Sequence, residues 1–424
     1  MSQQITSIWQ ASPEAYGPRK HRRPCEFTAY VPDLLSAHSL ELSAELAADV
    51  ADTERALAAF DGSAQQNLEQ VARFLLRAEA VASSKIEGLQ VNSRRLARHE
   101  ARLAAGIPDR DATADAVLDN VRAMNLAVAS VANTDEVELG HLLGIHAAVM
   151  EHSDRPEIAG QIRTKQNWIG GNDFNPCQAA FVPPPPEYVM ELLEDLCSFV
   201  NRDDLPGTVQ AGLVHAQFET IHPFADGNGR TGRALIHVVL KRRGLARHFI
   251  PPISLALATR ATAYVDGLSK FRYPGRVDSP AALAGIRDWL DLFLTATRRA
   301  TDDASTLQSN LAGLEAEWRE IIRPRAGSAA ERLLSELITN PVVTTDDIMR
   351  LTGASRSAAF TAVESFVDAG VLQPIGNQQR YRMFEAPQVF EVITGYERAS
   401  ATESGNTRAE QPKRIVPYRP NKQK

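Results

Sequence analysis

The chain has 424 residues and a mass of 46.4 kDa, enough for two or three domains with full cores. Hydrophobic residues make up 44% and charged ones 23%, the balance of an ordinary folded protein, which argues against wholesale disorder. No apolar run approaches the roughly 20 residues that cross a bilayer, and a net charge of −6 gives no overall pull toward nucleic acid or anionic membrane.

The first 25 residues lack an apolar signal core, so the cytoplasm is the expected location. Cys25, Cys177 and Cys197 are odd in number and lack metal-ligand spacing, which predicts incidental thiols rather than a disulfide framework or a zinc site. Residues 1–30 show no sustained periodicity, and region 1–110 reads as an N-terminal helical region. From Leu34 to about Phe60, apolar residues at Leu35, Leu42, Leu46, Val50 and Leu57 keep helical spacing. A second helix, about 64–88, carries Leu68, Val71, Leu75, Ala78, Ala82 and Ile86 on one face and stops at Gly88, a residue suited to a left-handed terminus.

Region 111–300 opens with two helical patterns, through Val117, Val121, Met124 and Val128 and through Val137, Leu142, Ile145 and Met150. The texture then changes. Residues 160–186 alternate short apolar pieces around Gly170-Gly171-Asn172-Asp173 and end in four prolines, which predicts a β-hairpin and a stiff exit. Helices follow at 186–200, from Pro206 to Ile221, and from about Arg230 to Arg243, with residues 222–229 as the loop between the last two. Further helices are expected at 254–271, 280–299 and 304–322, the last in a helical linker, 301–327. After Pro324 the order is helix 328–339, short helix 345–352, helix 355–369, and strands near Val371-Leu372 and Tyr381-Arg382-Met383. That order predicts a winged helix-turn-helix over 328–396. The polar tail, 397–424, reads as disordered.

The chemistry concentrates in HPFADGNGRTGR, residues 222–233. Gly227 and Gly229 let consecutive backbone N–H groups curve around an anion, and the positive end of the following helix adds attraction for phosphate. Arg230 and Arg233 can fork onto phosphate oxygens. Asp226 stands where a carboxylate and phosphate oxygens together would hold Mg²⁺. His222, with a reference pKa of about 6.5, can accept a proton from an attacking hydroxyl. Each residue alone has a plainer structural reading; the combination within twelve residues favours a polyphosphate site.

This segment resembles the signature of the Fic domain family, and HAQFETI (215–221) and the hairpin with its FVPPP exit resemble that family's core and flap. The resemblance implies a mainly α fold: a Fic-type helical core over 111–300 with a β-hairpin flap, plus the C-terminal winged helix. It implies AMP transfer from ATP, with Mg²⁺, onto a Ser, Thr or Tyr hydroxyl of a protein target, the enzyme itself included. His222 would be the base and Asp226 the metal ligand. Gly227, Asn228 and Gly229 would hold the α- and β-phosphates, Arg230 the β-phosphate and Arg233 the γ-phosphate. Tyr264 resembles a position near the adenine, with a buried core tyrosine as the equal alternative. The flap residues Gln161, Ile162, Arg163 and Val182 would offer a strand edge to the target. Ser83, Glu87 and Gly88 resemble the family's inhibitory motif, in which the glutamate pairs with the second arginine, here Arg233.

Three alternatives stay open: transfer of another nucleotide, removal of AMP from a modified protein, and a transcriptional regulator using the core as a nucleotide sensor. Residues 328–396 hold five Lys or Arg against eight Asp or Glu, so DNA binding through Arg356, Arg380 and Arg382 is expected to be weak. No membrane role is indicated, and a homodimer stays open.

Overall fold

The computed structural model describes residues 1–10, 18, 21, 23–37, 40–62, 68–130, 136–376 and 382–400. The elements begin with β1 (Gln3–Trp9), β2 (Cys25–Val31), α1 (Ala44–Gly62), α2 (Leu68–Ile86), α3 (Ser93–Ala104), α4 (Ala112–Ser130) and α5 (Leu139–Val149). They continue with α6 (Pro186–Val200), α7 (Gly207–Ile221), α8 (Asn228–Arg242), α9 (Ile253–Thr259), α10 (Ala261–Phe271) and α11 (Pro280–Ile322). The C-terminal part has α12 (Ala329–Thr339), β3 (Val342–Thr344), α13 (Thr345–Thr352), α14 (Arg356–Asp368), β4 (Gln373–Ile375), β5 (Met383–Glu385) and α15 (Pro387–Ser400). The fold is mainly α, and no described helix is long and apolar enough to cross a membrane. The chain divides into two compact units, each built from three stretches of sequence.

The first unit takes Met1–Arg55, Arg122–Leu245 and Arg260–Thr295. Its centre is the pair α7 and α8: every residue of α7 is buried, and α8 is buried from Asn228 to Leu240. A helix buried on all sides must satisfy its polar side chains internally. Gln210 Nε2 accordingly donates to the carbonyls of Phe199 and Arg202 at 2.8 Å, closing the end of α6. Gly212 lets α11 approach: its carbonyl accepts from Trp289 Nε1 at 2.8 Å, and a Cβ there would lie 3.0 Å from the Phe293 ring.

Residues 3–31, expected to lack pattern within a helical region, form an antiparallel pair with Gln3 opposite Val31 and Trp9 opposite Cys25. Ile5, Ser7 and Trp9 alternate inward along β1, but the polar Ser7 and the exposed Ile8 blur the period of two. The pair clasps the segment 168–182. Trp9 packs edge-on to Trp168 with centroids 5.4 Å apart, His21 stacks on Phe174, and Tyr30 N–H donates to the Val182 carbonyl at 3.0 Å. Cys25 and Cys177 form a disulfide with Cα atoms 5.9 Å apart, which corrects the expectation of incidental thiols; 152 positions separate them, and neither has a local motif to announce the pairing. Cys197 is free and buried.

The second unit takes Ala56–Val121, Ala246–Thr259 and Ala296–Lys424. Within it, the buried Glu79 of α2 caps α9, accepting from Ser254 N–H at 2.7 Å and Ser254 Oγ at 2.5 Å. The run α12, β3, α13, α14, β4, β5, with sheet order β3-β5-β4, has the helix and strand order of a winged helix. The last two strands lie at 373–375 and 383–385 rather than at 371–372 and 381–383, because Val371 and Leu372 pack into the core ahead of the strand. Strand β3 and helices α3 and α15 were not expected, and α15 reaches Ser400, inside the stretch read as tail. Helices 280–299 and 304–322 are one continuous helix, α11. Arg380 and the tail from residue 401 lie outside the described residues.

Candidate active site

The loop between α7 and α8 is held open by unusual backbone geometry. His222, the C-cap of α7, has φ 49° and ψ 59°, a left-handed conformation that a non-glycine residue adopts only when its surroundings impose it. Arg163 supplies much of that constraint. It is 5% exposed, and its guanidinium donates to the carbonyls of His222 (2.9 Å), Pro184 (2.6 Å), Ile221 (3.3 Å) and Lys165 (3.2 Å), while its N–H donates to the Pro223 carbonyl at 2.9 Å. Asn167 Nδ2 adds bonds to the carbonyls of His222 and Phe224 at 3.2 and 3.0 Å. Burial lowers the Arg163 pKa to about 10, still leaving it cationic at neutral pH.

The His222 ring lies 3.9 Å from a Glu219 carboxylate oxygen through Nδ1. Burial first, then the cations Arg272 and Arg163, push its pKa down to about 3, so the ring is neutral at neutral pH. Arg272, just after α10, is a neighbour that sequence reasoning missed. Its guanidinium stands 3.6 Å over the Phe181 ring, and burial lowers its pKa to about 10.

Past Pro223 the chain folds on itself. The Asn228 carboxamide accepts from Phe224 N–H and donates to the Phe224 carbonyl, both at 2.8 Å, so this side chain shapes the loop. Phe224 is fully buried. Asp226 Oδ1 accepts the Gly227 N–H at 2.7 Å. Gly227 has φ 75°, and a Cβ there would stand 2.9 Å from Met150 Sδ and 3.3 Å from His146 Nε2, so only glycine fits. Helix α8 then starts with first-turn N–H groups that have no carbonyl one turn back. Arg230 is 8% exposed, with Nη1 3.3 Å from the Val149 carbonyl, and Arg233 is 1% exposed. Both cations thus lie buried along the first two turns behind the glycine turn.

The predicted flap is only loosely a hairpin: isolated bridges join Ile162 to Phe224 and Ile169 to Phe181. Gln161 is exposed, Arg163 braces the loop from inside, and the Val182 carbonyl is taken by Tyr30. A groove of about 480 Å³ lined by Glu26, Thr28, Phe181, Val182 and Arg272 runs beside it. Tyr264 sits in the core, 5% exposed, because its hydroxyl is held 2.8 Å from His215 Nε2. His215 Nδ1 faces the Gly232 carbonyl at 3.0 Å, so the ring carries its proton on Nδ1 and accepts from the tyrosine. Two buried histidines of the site, His215 and His146, had no assigned role in the sequence reading.

In the second unit, α2 ends in a Schellman turn: Gly88 has φ 86°, its N–H donates to the Lys85 carbonyl and the Leu89 N–H to the Ser84 carbonyl, both at 3.0 Å. Ser83 is fully buried and Glu87 half-buried at this helix end.

Residues 136–240 match the Fic/DOC family, and residues 47–129 match the Fic/DOC family N-terminal region. Among relatives, it is similar to the protein adenylyltransferase fic-1 of Caenorhabditis elegans, 35% identical over 135 residues, which are 31% of this chain and 24% of that protein. It is also similar to the protein adenylyltransferase Fic of Drosophila willistoni, 32% identical over 145 residues, 34% of this chain and 26% of that protein. The chain thus spans about a quarter of the length of these relatives. The fold is similar to that of a Fic family protein from Desulfovibrio desulfuricans G20, with a TM-score of 0.52 and 20% identity over 82% of this chain and 97% of that one.

Proposed function

We propose that the chain is a protein adenylyltransferase, forming a bond between the α-phosphorus of ATP and a protein hydroxyl oxygen and releasing pyrophosphate. One observation carries this reading most: His222 is held in a left-handed cap at the end of α7, next in sequence to a glycine turn that opens α8 with Arg230 and Arg233 buried behind it. His222 takes the hydroxyl proton as the oxygen attacks. The turn's N–H groups and the start of α8 hold phosphate oxygens, and the two arginines offset the charge that grows on the leaving pyrophosphate. Asp226 suits Mg²⁺, since one carboxylate with phosphate oxygens and water is the donor set that ion prefers. When bound, the ion would neutralise phosphate charge and orient the polyphosphate. The acceptor segment, presenting a Ser, Thr or Tyr hydroxyl, would lie along the flap groove.

The test is incorporation from α-labelled ATP. His222→Ala should lower it by a factor on the order of 10² to 10⁴ while ATP binding persists, and unchanged incorporation would remove the mechanism.

The motif SxxxEG supports a further step in the reading: Glu87 holds Arg233 away from the γ-phosphate, so basal activity is low. Releasing a charge-assisted bond is worth about 1.5 to 3 kcal/mol. Glu87→Gly should therefore raise incorporation by roughly one to two powers of ten, whereas Glu87→Gly with Arg233→Ala should not. Equal rates in wild type and Glu87→Gly would end the autoinhibition claim.

A further inference from the structure

His146 lies 80 positions upstream of Asp226, on α5, and is fully buried. Its ring lies flat on Phe224, with centroids 3.7 Å apart and planes 1° apart. Nδ1 is 2.9 Å from the Gly160 N–H, and Nε2 is 3.0 Å from the Asp226 carbonyl oxygen. A backbone N–H only donates and a carbonyl only accepts, so the ring is the neutral tautomer with its proton on Nε2. Burial, which lowers its pKa to about 4, favours the same neutral form.

The bond to Asp226 reaches further than the carbonyl. The peptide joining Asp226 to Gly227 is planar and trans, so its C=O and N–H point in opposite directions. With the carbonyl drawn to His146, the Gly227 N–H faces away from the ring, and there it meets Asp226 Oδ1 at 2.7 Å. One peptide plane therefore passes the position of His146 to the Asp226 carboxylate. The same ring, through Gly160, fixes the start of the segment whose Ile162 bridges Phe224. The Gly227 turn has no slack, since Met150 and His146 close the space a Cβ would need.

We propose that His146 is a positioning residue for transfer, aiming the Asp226 carboxylate through the Asp226–Gly227 peptide while tying the flap to the same loop. The proposal rests on the adenylyltransferase reading for its consequence and on the hydrogen-bond geometry for its substance. His146→Phe keeps the stack on Phe224 and removes both hydrogen bonds. His146→Gln offers an amide donor near the place of Nε2 and discards the ring.

The experiment compares Mg²⁺-dependent ATP binding by calorimetry, ATP binding in EDTA, and AMP incorporation, in wild type and both variants, with melting curves confirming folding. His146→Phe should weaken ATP binding in Mg²⁺ about tenfold, leave binding in EDTA within about twofold, and lower kcat more than it changes KM for the acceptor. His146→Gln should recover a large part of the Mg²⁺-dependent affinity. A residue that merely supported the fold would weaken both binding modes together. In the wild type, long-range ¹H–¹⁵N spectra should show His146 protonated on Nε2 alone. A proton on Nδ1, or equal Mg²⁺ dependence in wild type and His146→Phe, would overturn the proposal. If Glu87→Gly as well as the wild type binds Mg²⁺ and ATP but transfers nothing, the adenylyltransferase reading falls, and the binding comparison still decides the role of His146. Where a variant fails to fold, the wild-type tautomer decides.

Discussion

His146, His215 and His222 are three histidines of the first unit held neutral by burial, with pKa values of about 4, 3 and 3. An unfolded histidine titrates near 6.5. As pH falls below that value the unfolded chain gains protons that the folded chain refuses, so each residue removes stability on acidification, by up to about 1.4 kcal/mol per pH unit. His99, in the second unit, has the opposite sign. Burial alone would lower its pKa, but hydrogen bonds to Asp115 at 2.7 Å and Asp109 at 3.0 Å raise it. Its contribution is complete below the unfolded value and is lost as pH rises through the folded one. Melting at pH 7.5 and pH 5.0 should therefore show acid destabilisation, reduced by roughly a third to a half in His215→Asn, which keeps a donor toward the Gly232 carbonyl without a titrating ring. The same pH slope in wild type and His215→Asn would contradict this account. The motif residues were legible because their types and spacing define a chemistry. His146 was not, since it and His141, the two histidines of the apolar helix LGHLLGIHAAV, are five positions apart and so do not share a helix face, and Arg163, read as a flap residue, is recognisable as a brace only once four carbonyls converge on it.

Helices α2 and α6 were legible from one-sided apolar spacing, and α7 and α8, buried all round, from the punctuation at Pro206, the loop 222–229 and Gly244, with boundaries within a few residues. Helix α3 was missed because Leu96 is the one large apolar residue on its buried face, the others there being Ala97, His99 and Ala101, while Leu103 is exposed. Helix α11 was read as two because Thr301-Asp302-Asp303 looks like an interruption, whereas Ala300, Ala304 and Leu307 carry the buried face straight through. Glycines in that helix give a matched pair for testing. A Cβ on Gly285 would lie 2.2 Å from the Lys270 carbonyl oxygen, a backbone atom that cannot rotate away, while nothing lies within 4 Å of a Cβ on Gly313. Gly285→Ala should cost about 1 to 3 kcal/mol, lower Tm by roughly 2 to 12 °C, and slow transfer by displacing the end of α10 that carries Arg272. Gly313→Ala should be neutral or stabilising by up to about 1 kcal/mol. Equal melting temperatures for the two variants would show that α10 and α11 are not in this contact.

At the scale of the whole molecule, the regions 1–110, 111–300 and 328–396 follow changes of pattern along the chain and the family resemblance, while each compact unit gathers three separated stretches, a grouping that local patterns do not encode. The clasp of β1 and β2 on segment 168–182 is the plainest case, and it sets an order in time. A ribosome releases residues at roughly 5 to 20 per second, so the 152 positions between Cys25 and Cys177 correspond to about 8 to 30 s in which both strands exist without the surface they cover. The bridge from Ser2 to Gly275 waits longer still. Contacts that span so much chain close late, because the loop entropy is overcome only after the nearer helices have formed. In refolding, fluorescence from the Trp9–Trp168 contact should therefore lag behind the helical circular dichroism signal, with Trp9→Phe removing the late change. Simultaneous recovery of both signals would mean that the strands take part in the folding nucleus. The segment made first in the first unit would then be the one that finds its place last, leaving a stretch of bare strand edge for a chaperone to shield during synthesis.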